Sequence, residues 1–104
     1  MNNHEIMLKL GVIFTEKELG RLTIQSEETI VVTADVHGMK CAEAKRFINN
    51  LLNILCEAIK VVIIHGYNHG TAIKEMLRNN FYNSRIKRMY GIPYNMGVTV
   101  MELC

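Results

Sequence analysis

Residues 29–66 form the stretch that leaves this chain the fewest choices. Thr29-Ile30-Val31-Val32-Thr33-Ala34 is a β-branched run that stops at Asp35-Val36-His37-Gly38. Apolar residues then recur at Ala44, Phe47, Ile48, Leu51, Leu52, Leu55, Ala58 and Ile59. That is the three-four spacing of one helix face. Val61-Val62-Ile63-Ile64 follows and ends at His65-Gly66. Runs of this kind fit buried strands. Strand, helix and strand at this spacing predict a βαβ unit, whose right-handed crossover makes the two strands parallel in one sheet. If the strands are neighbours, Asp35-Val36-His37-Gly38 and His65-Gly66-Tyr67-Asn68-His69-Gly70 meet on one rim. Ligands of open α/β sheets bind at such a rim.

The remaining pattern extends that unit. A second helix is expected over about residues 71–82, with Ile73, Met76, Leu77 and Phe81 inward. A strand over 85–90, a loop over 91–95 and a last strand over 98–103 complete a βαβαββ order from residue 29 to 104. Before it, Ile6, Leu8, Leu10, Val12 and Phe14 alternate with their neighbours and predict a strand. Thr15-Glu16-Lys17-Glu18 has the form of a capping box. Leu22-Thr23-Ile24 suggests another short strand. Residues 1–28 therefore read as an extension of short strands that either covers a sheet edge or builds a homodimer contact.

With 104 residues the chain fits one domain, and 49% hydrophobic residues can build a core without disulfide or metal staples. It opens with Met1 and closes on an apolar strand pattern, so a complete small protein is expected. Cys41, Cys56 and Cys104 are odd in number and lack C-x-x-C spacing, which argues against a disulfide framework and a thiolate zinc site. Cys56 reads as a small hydrophobe in the helical stripe. Neither a membrane span nor a signal peptide is visible, and a reducing cytoplasm is the expected compartment. Residues 1–35 carry three basic and six acidic side chains, and residues 36–104 carry nine and four. The acidic first third and the basic remainder, −3 and +5, make up the net +2. A basic majority favours a polyanionic partner, although an ordinary solvated surface has the same composition.

Three of the four histidines, His37, His65 and His69, fall in the two rim loops, with Asp35, Gly38, Gly66 and Gly70. Histidine exchanges protons near neutral pH. Glycines let backbone N–H groups approach a ligand, and helix N-termini favour anions. Lys40 and Lys74 stand near the same helix starts. This set can bind a phosphate and move protons around it.

The motifs also resemble a family. Asp35-Val36-His37-Gly38-Met39 before the Glu43-Ala44 helix start is similar to the D-L-H-G motif of the Smr (small MutS-related) domain. Ile64-His65-Gly66 and the glycine-bearing turn after it resemble that family's H-G-x-G-x-G motif, with Asn68 where the middle glycine usually stands. Gly97-Val98-Thr99-Val100-Met101-Glu102-Leu103 resembles its closing G-V-T-V-x-x-L strand. The resemblance covers about residues 29–103 and marks a stand-alone variant branch. It implies an α/β two-layer sandwich with a mixed four-stranded sheet and two helices. It also implies work on nucleic acid, either as an endonuclease or nickase or as a non-catalytic nucleic-acid- or ribosome-binding module.

In the catalytic reading Asp35 orients His37 as general base, and His65 or His69 protonates the leaving oxygen. Asp35 and His37 can instead be a turn-capping pair, and His65 can be satisfied by local backbone. Gly38, Lys40, Gly66, Tyr67, Asn68, Gly70, Lys74, Arg78, Arg85 and Lys87 are the candidate contacts to RNA or DNA. Arg85 and Lys87 are expected on one strand face, with Arg88 on the other. Tyr67 and Tyr94 suit either base stacking or half-buried packing. No cofactor is expected. A divalent metal finds little support, because a hard-cation nuclease site wants more than one carboxylate and Glu43 is the only other one near.

Overall fold

The computed structural model describes residues 3–26, 28–55, 59–66 and 71–104. Its elements run α1 (Asn3–Ile13), α2 (Glu16–Leu19), β1 (Leu22–Ser26), β2 (Ile30–Asp35), α3 (Cys41–Ile54), β3 (Lys60–Ile64), α4 (Ala72–Asn79), β4 (Ile86–Ile92) and β5 (Asn95–Leu103). The strands form one mixed sheet in the order β1-β2-β3-β5-β4. β2 and β3 pair in parallel, in the register Val32↔Val61 and Ala34↔Ile63. The other three pairings are antiparallel.

The period of two along each strand sorts the side chains onto two faces. Val32, Ala34, Val61, Ile63, Met101 and Leu103 lie on one face and join the core with Ala44, Phe47, Ile48, Leu51 and Leu52 of α3. Ile73, Met76 and Leu77 of α4 enter the same core, as do Ile6 and Leu10 of α1. The helices thus form one layer and the sheet the other. Val31, Thr33, Val62 and Ile64, on the opposite face, are half-buried. The two-layer α/β sandwich and the βαβαββ order stand as expected. The sheet has five strands rather than four, because Leu22–Ser26 pairs with β2 as an edge strand.

The expected strand over residues 6–14 is a helix. Ile6, Leu10 and Phe14 are buried, and Leu8 and Val12 are 61% and 82% exposed. Burial at every fourth residue is helical, and strand alternation would have buried all five. The misreading has a physical source. A nearly unbroken apolar run satisfies periods of two and of four at once, and the tertiary partner decides between them. That partner is α3: the Phe14 and Phe47 rings meet with centroids 4.8 Å apart. The corner after α1 is held by the expected capping box. Thr15 Oγ1 accepts from Glu18 N at 3.1 Å, and Glu18 Oε1 accepts from Thr15 N at 2.9 Å.

At the far end of α3, the carbonyls left open by the helix accept from the Arg85 guanidinium, which donates to Leu52 O and Leu55 O. Buried Asn83 ties the same region together. It donates to Asn49 Oδ1 and Asn53 Oδ1, both at 3.1 Å, and accepts from Arg85 N.

Leu8 and Leu10 test the helical assignment of α1 directly, since a strand would place both on one face. Leu10→Ala is expected to cost about 2–5 kcal/mol in urea unfolding. Leu8→Ala should stay within about 0.5 kcal/mol of the parent. Equal losses would mean a strand.

Candidate functional site

The rim is built by the β2–β3 register. Asp35 ends β2 level with Ile64, and Val36 N continues the ladder to Ile64 O at 2.9 Å. The chain then turns through Gly38 at φ +80° and, in the other loop, Gly66 at φ +72°. Side chains with a Cβ rarely adopt that region, so both turns require glycine. A Cβ built on Gly66 would lie 3.6 Å from His37 Cβ, which shows how closely the two loops meet. The final strand meets them too. His65 N and Gly66 N both donate to Gly97 O, at 2.9 and 3.0 Å.

Asp35 and His37 form a pair. Asp35 Oδ1 contacts His37 Nδ1 directly and also accepts from His37 N at 3.2 Å. A carboxylate can only accept, so Nδ1 carries the proton and Nε2 is left with its lone pair when the ring is neutral. The His37 side chain is 66% exposed. Carboxylate, imidazole and open access together can supply a general base.

His65 has a different environment. It is 5% exposed, its Nδ1 donates to Gly66 O at 2.9 Å, and its Nε2 accepts from Thr99 Oγ1 at 2.9 Å. Both ring nitrogens are engaged. Burial holds its pKa below the ordinary value near 6.5. The Gly66 carbonyl works in the opposite direction, and the Lys74 and Arg78 charges lower the pKa further. His65 is therefore a neutral bracket joining β3, the rim loop and β5.

Lys40 occupies the N-cap position of α3 and Thr71 that of α4, and among the described residues neither makes a side-chain cap hydrogen bond. The first N–H groups of the two helices remain available for an anion. Lys74 and Arg78, one turn apart on α4, share the wall of a cleft of about 270 Å³ between α4 and the β4–β5 turn. Arg85 is not at the rim. It caps the end of α3 on the helix side, so the expected face shared with Lys87 does not form. Lys87 is exposed at an irregularity of register between Ile86 and Arg88. Arg88 is paired with Glu102 at 2.9 Å, and Tyr90 donates to the same carboxylate at 2.9 Å. The Arg88 and Tyr90 bonds hold the Glu102 carboxyl below its usual range. Tyr67, Asn68, His69 and Gly70, and likewise Cys56, lie outside the described residues. Among the described residues, no three His, Cys, Asp or Glu side chains converge to hold a metal ion. Nor is any helix long and apolar enough to cross a membrane.

Arg21 was not foreseen from the sequence. Its Nη1 donates to Asp35 O at 2.9 Å and His37 O at 3.1 Å. Its own carbonyl accepts from Asp35 N at 2.8 Å. A residue of the N-terminal segment therefore clamps the loop that carries the acid–histidine pair. The signal was the hairpin itself. Pairing Leu22 with Ala34 places Arg21 beside Asp35.

The chain is similar to the crystallised Smr domain of Thermus thermophilus MutS2. The two are 27% identical and superpose with a TM-score of 0.52, over 69% of this chain and 96% of that domain. The chain has an Smr-like fold. No known family's sequence profile matches it, and neither does any curated protein.

His65 links pH to stability. Below about 6.5 the unfolded chain takes up a proton at His65 that the folded chain refuses. Stability from this group is thus full above that pH and falls as pH drops towards the lowered folded value. Urea unfolding from about pH 7.5 to 5 should show a flatter pH dependence for His65→Gln than for the parent, whatever its constant offset. Parallel curves would contradict the assignment. For Arg21, replacement by Met should speed amide exchange at His37, Gly38 and Met39 and cost about 1–2 kcal/mol. Unchanged protection of those amides would show that the clamp does not hold the loop.

Proposed function

We propose that the protein acts on nucleic acid as an endonuclease that cuts RNA, or structured or single-stranded DNA, by acid–base chemistry at the rim. The observation that carries the reading is the Asp35 carboxylate seated on Nδ1 of an exposed His37, in a loop stapled from both sides. The Smr-like fold and the likeness to the MutS2 domain support nucleic acid as the partner. So do the two uncapped helix starts with Lys40 and Lys74 beside them.

On RNA, His37 Nε2 takes the 2′-hydroxyl proton and the freed O2′ attacks phosphorus. The P–O5′ bond breaks, leaving a cyclic phosphate, and the departing O5′ receives a proton. With both nitrogens of His65 engaged, that proton is assigned to His69 or to water. The Gly38 N–H and the start of α3 hold the phosphate oxygens. On DNA a water takes the place of the 2′-hydroxyl.

A positioned base contributes about 10²–10⁴ in rate. His37→Ala and Asp35→Asn are expected to lower cleavage of labelled RNA or single-stranded DNA by that order, with binding retained in a gel-shift assay. Cleavage unchanged in both variants would remove the pair from the mechanism. Binding by the parent with no cleavage of any substrate would select the non-catalytic module.

A further inference from the structure

We infer that Tyr94 and the Lys74–Arg78 cleft form a subsite for unpaired nucleotides, with the tyrosine ring stacking on a base and the two cations taking its flanking phosphates. The inference rests on the nucleic-acid reading above and goes further by naming single-stranded character as what this part of the molecule selects.

Tyr94 sits in the two-residue turn between β4, which ends at Ile92, and β5, which begins at Asn95. It is 98% exposed, so no packing within the chain accounts for the ring. The turn that presents it is stiff. Pro93 fixes its own φ, and Asn95 Oδ1 accepts from Gly97 N at 3.0 Å. A constrained backbone at the turn lowers the entropic cost of placing the ring against a ligand.

Directly behind the turn lies the cleft of about 270 Å³, lined by Lys74 and Arg78 on one side and by Gly91, Pro93, Met96 and Val98 on the other. Gly91 brings the β4 backbone close to the Arg78 guanidinium, since a Cβ there would stand 3.4 Å from Arg78 Nη2. Among the described residues, neither Lys74 nor Arg78 pairs with a carboxylate. One wall of the cleft is joined to the rim loop through the backbone of β5. Met96 and Val98 flank Gly97, whose carbonyl holds His65 N and Gly66 N, and Gly66 packs against His37. A strand lying across the rim at His37 thus has cations and an aromatic platform beside it. Stacking of this kind requires a base outside a duplex, and it is tolerant of sequence because every base has a π-face.

The test uses the full chain, which contains no tryptophan. Affinities for a short labelled unpaired oligonucleotide and for a duplex of the same length are measured by fluorescence anisotropy. Tyr94→Ala should weaken single-strand binding about 5- to 150-fold and leave duplex binding unchanged. Tyr94→Phe should keep both. Tyr82→Ala, at another exposed ring past the far end of α4, should change neither. In Tyr94→Trp the introduced indole, the sole one in the chain, should be quenched by the single strand and not by the duplex. If the parent binds neither probe, the nucleic-acid reading itself falls. If the parent binds the single strand but Tyr94→Ala leaves that affinity intact, or weakens both probes equally, the subsite is overturned and the broader reading stands.

Discussion

Hydrophobic burial beneath β2 and β3 fixes a register, and the geometry of the rim follows from it. Val32 and Ala34 stand opposite Val61 and Ile63, all four completely buried against the helix layer. A slip of β2 by one residue would turn buried Val32, Ala34 and Val36 outward and bring Thr33 and Asp35 in. At roughly 25 cal/mol per Å² of apolar surface, exposing several fully buried aliphatic side chains outweighs any single contact at the rim. The core therefore dictates that Asp35 ends level with Ile64, and that the chain after it turns against the chain after β3.

That register also separates two histidines that look equivalent in the sequence. Each belongs to a His-Gly pair just past a strand. Counting on from Asp35↔Ile64, however, His65 is level with Val36, and His37 is level with Gly66. With a side-chain period of two, one residue of offset means opposite surroundings. His65 inherits the buried direction of Val36 and must satisfy both nitrogens internally. His37 lies one step further, in solvent, with Asp35 as its partner. Motif matching aligned the pairs by residue name, whereas the ladder aligns them by position.

The same distinction between local pattern and tertiary partner explains what else could be read. The β-branched runs at 30–35 and 61–64 and the closing strand each carry one dominant period and formed as expected, whereas the α3 stripe, expected to run on to Ile59, stops with the helix at Ile54 and leaves Leu55 extended. The segment at 6–14 carries two periods and took the one that docks Phe14 on Phe47. Arg85 and Arg88 read as free charge because composition does not record acceptors. One found the open carbonyls of α3, the other Glu102 across the strand pair. Arg21 stood in a segment without a motif, and its contact spans an antiparallel hairpin whose register the sequence pattern did not settle.

Sorting the cations by what they touch changes the meaning of the basic C-terminal two-thirds. Arg85 neutralises helix carbonyls and Arg88 a carboxylate, so neither has its charge free for a ligand. Among the described residues Lys40, Lys74 and Arg78 have no carboxylate partner, and they stand at helix starts or in the cleft between α4 and the β4–β5 turn. Lys74 and Arg78 lie close enough to His65 to oppose its protonation. This places their field at the back of the rim loop rather than out in bulk solvent. Burial and field act on His65 in the same direction and keep it neutral, so the bracket between β3 and β5 retains its hydrogen bonds near neutral pH. Lys74 and Arg78, one helical turn apart, repel one another, and among the described residues neither is in an ion pair with a carboxylate. A polyanion crossing the rim would relieve that repulsion while meeting the Asp35–His37 pair, so under the proposed function the positive charge and the acid–base pair would serve one ligand.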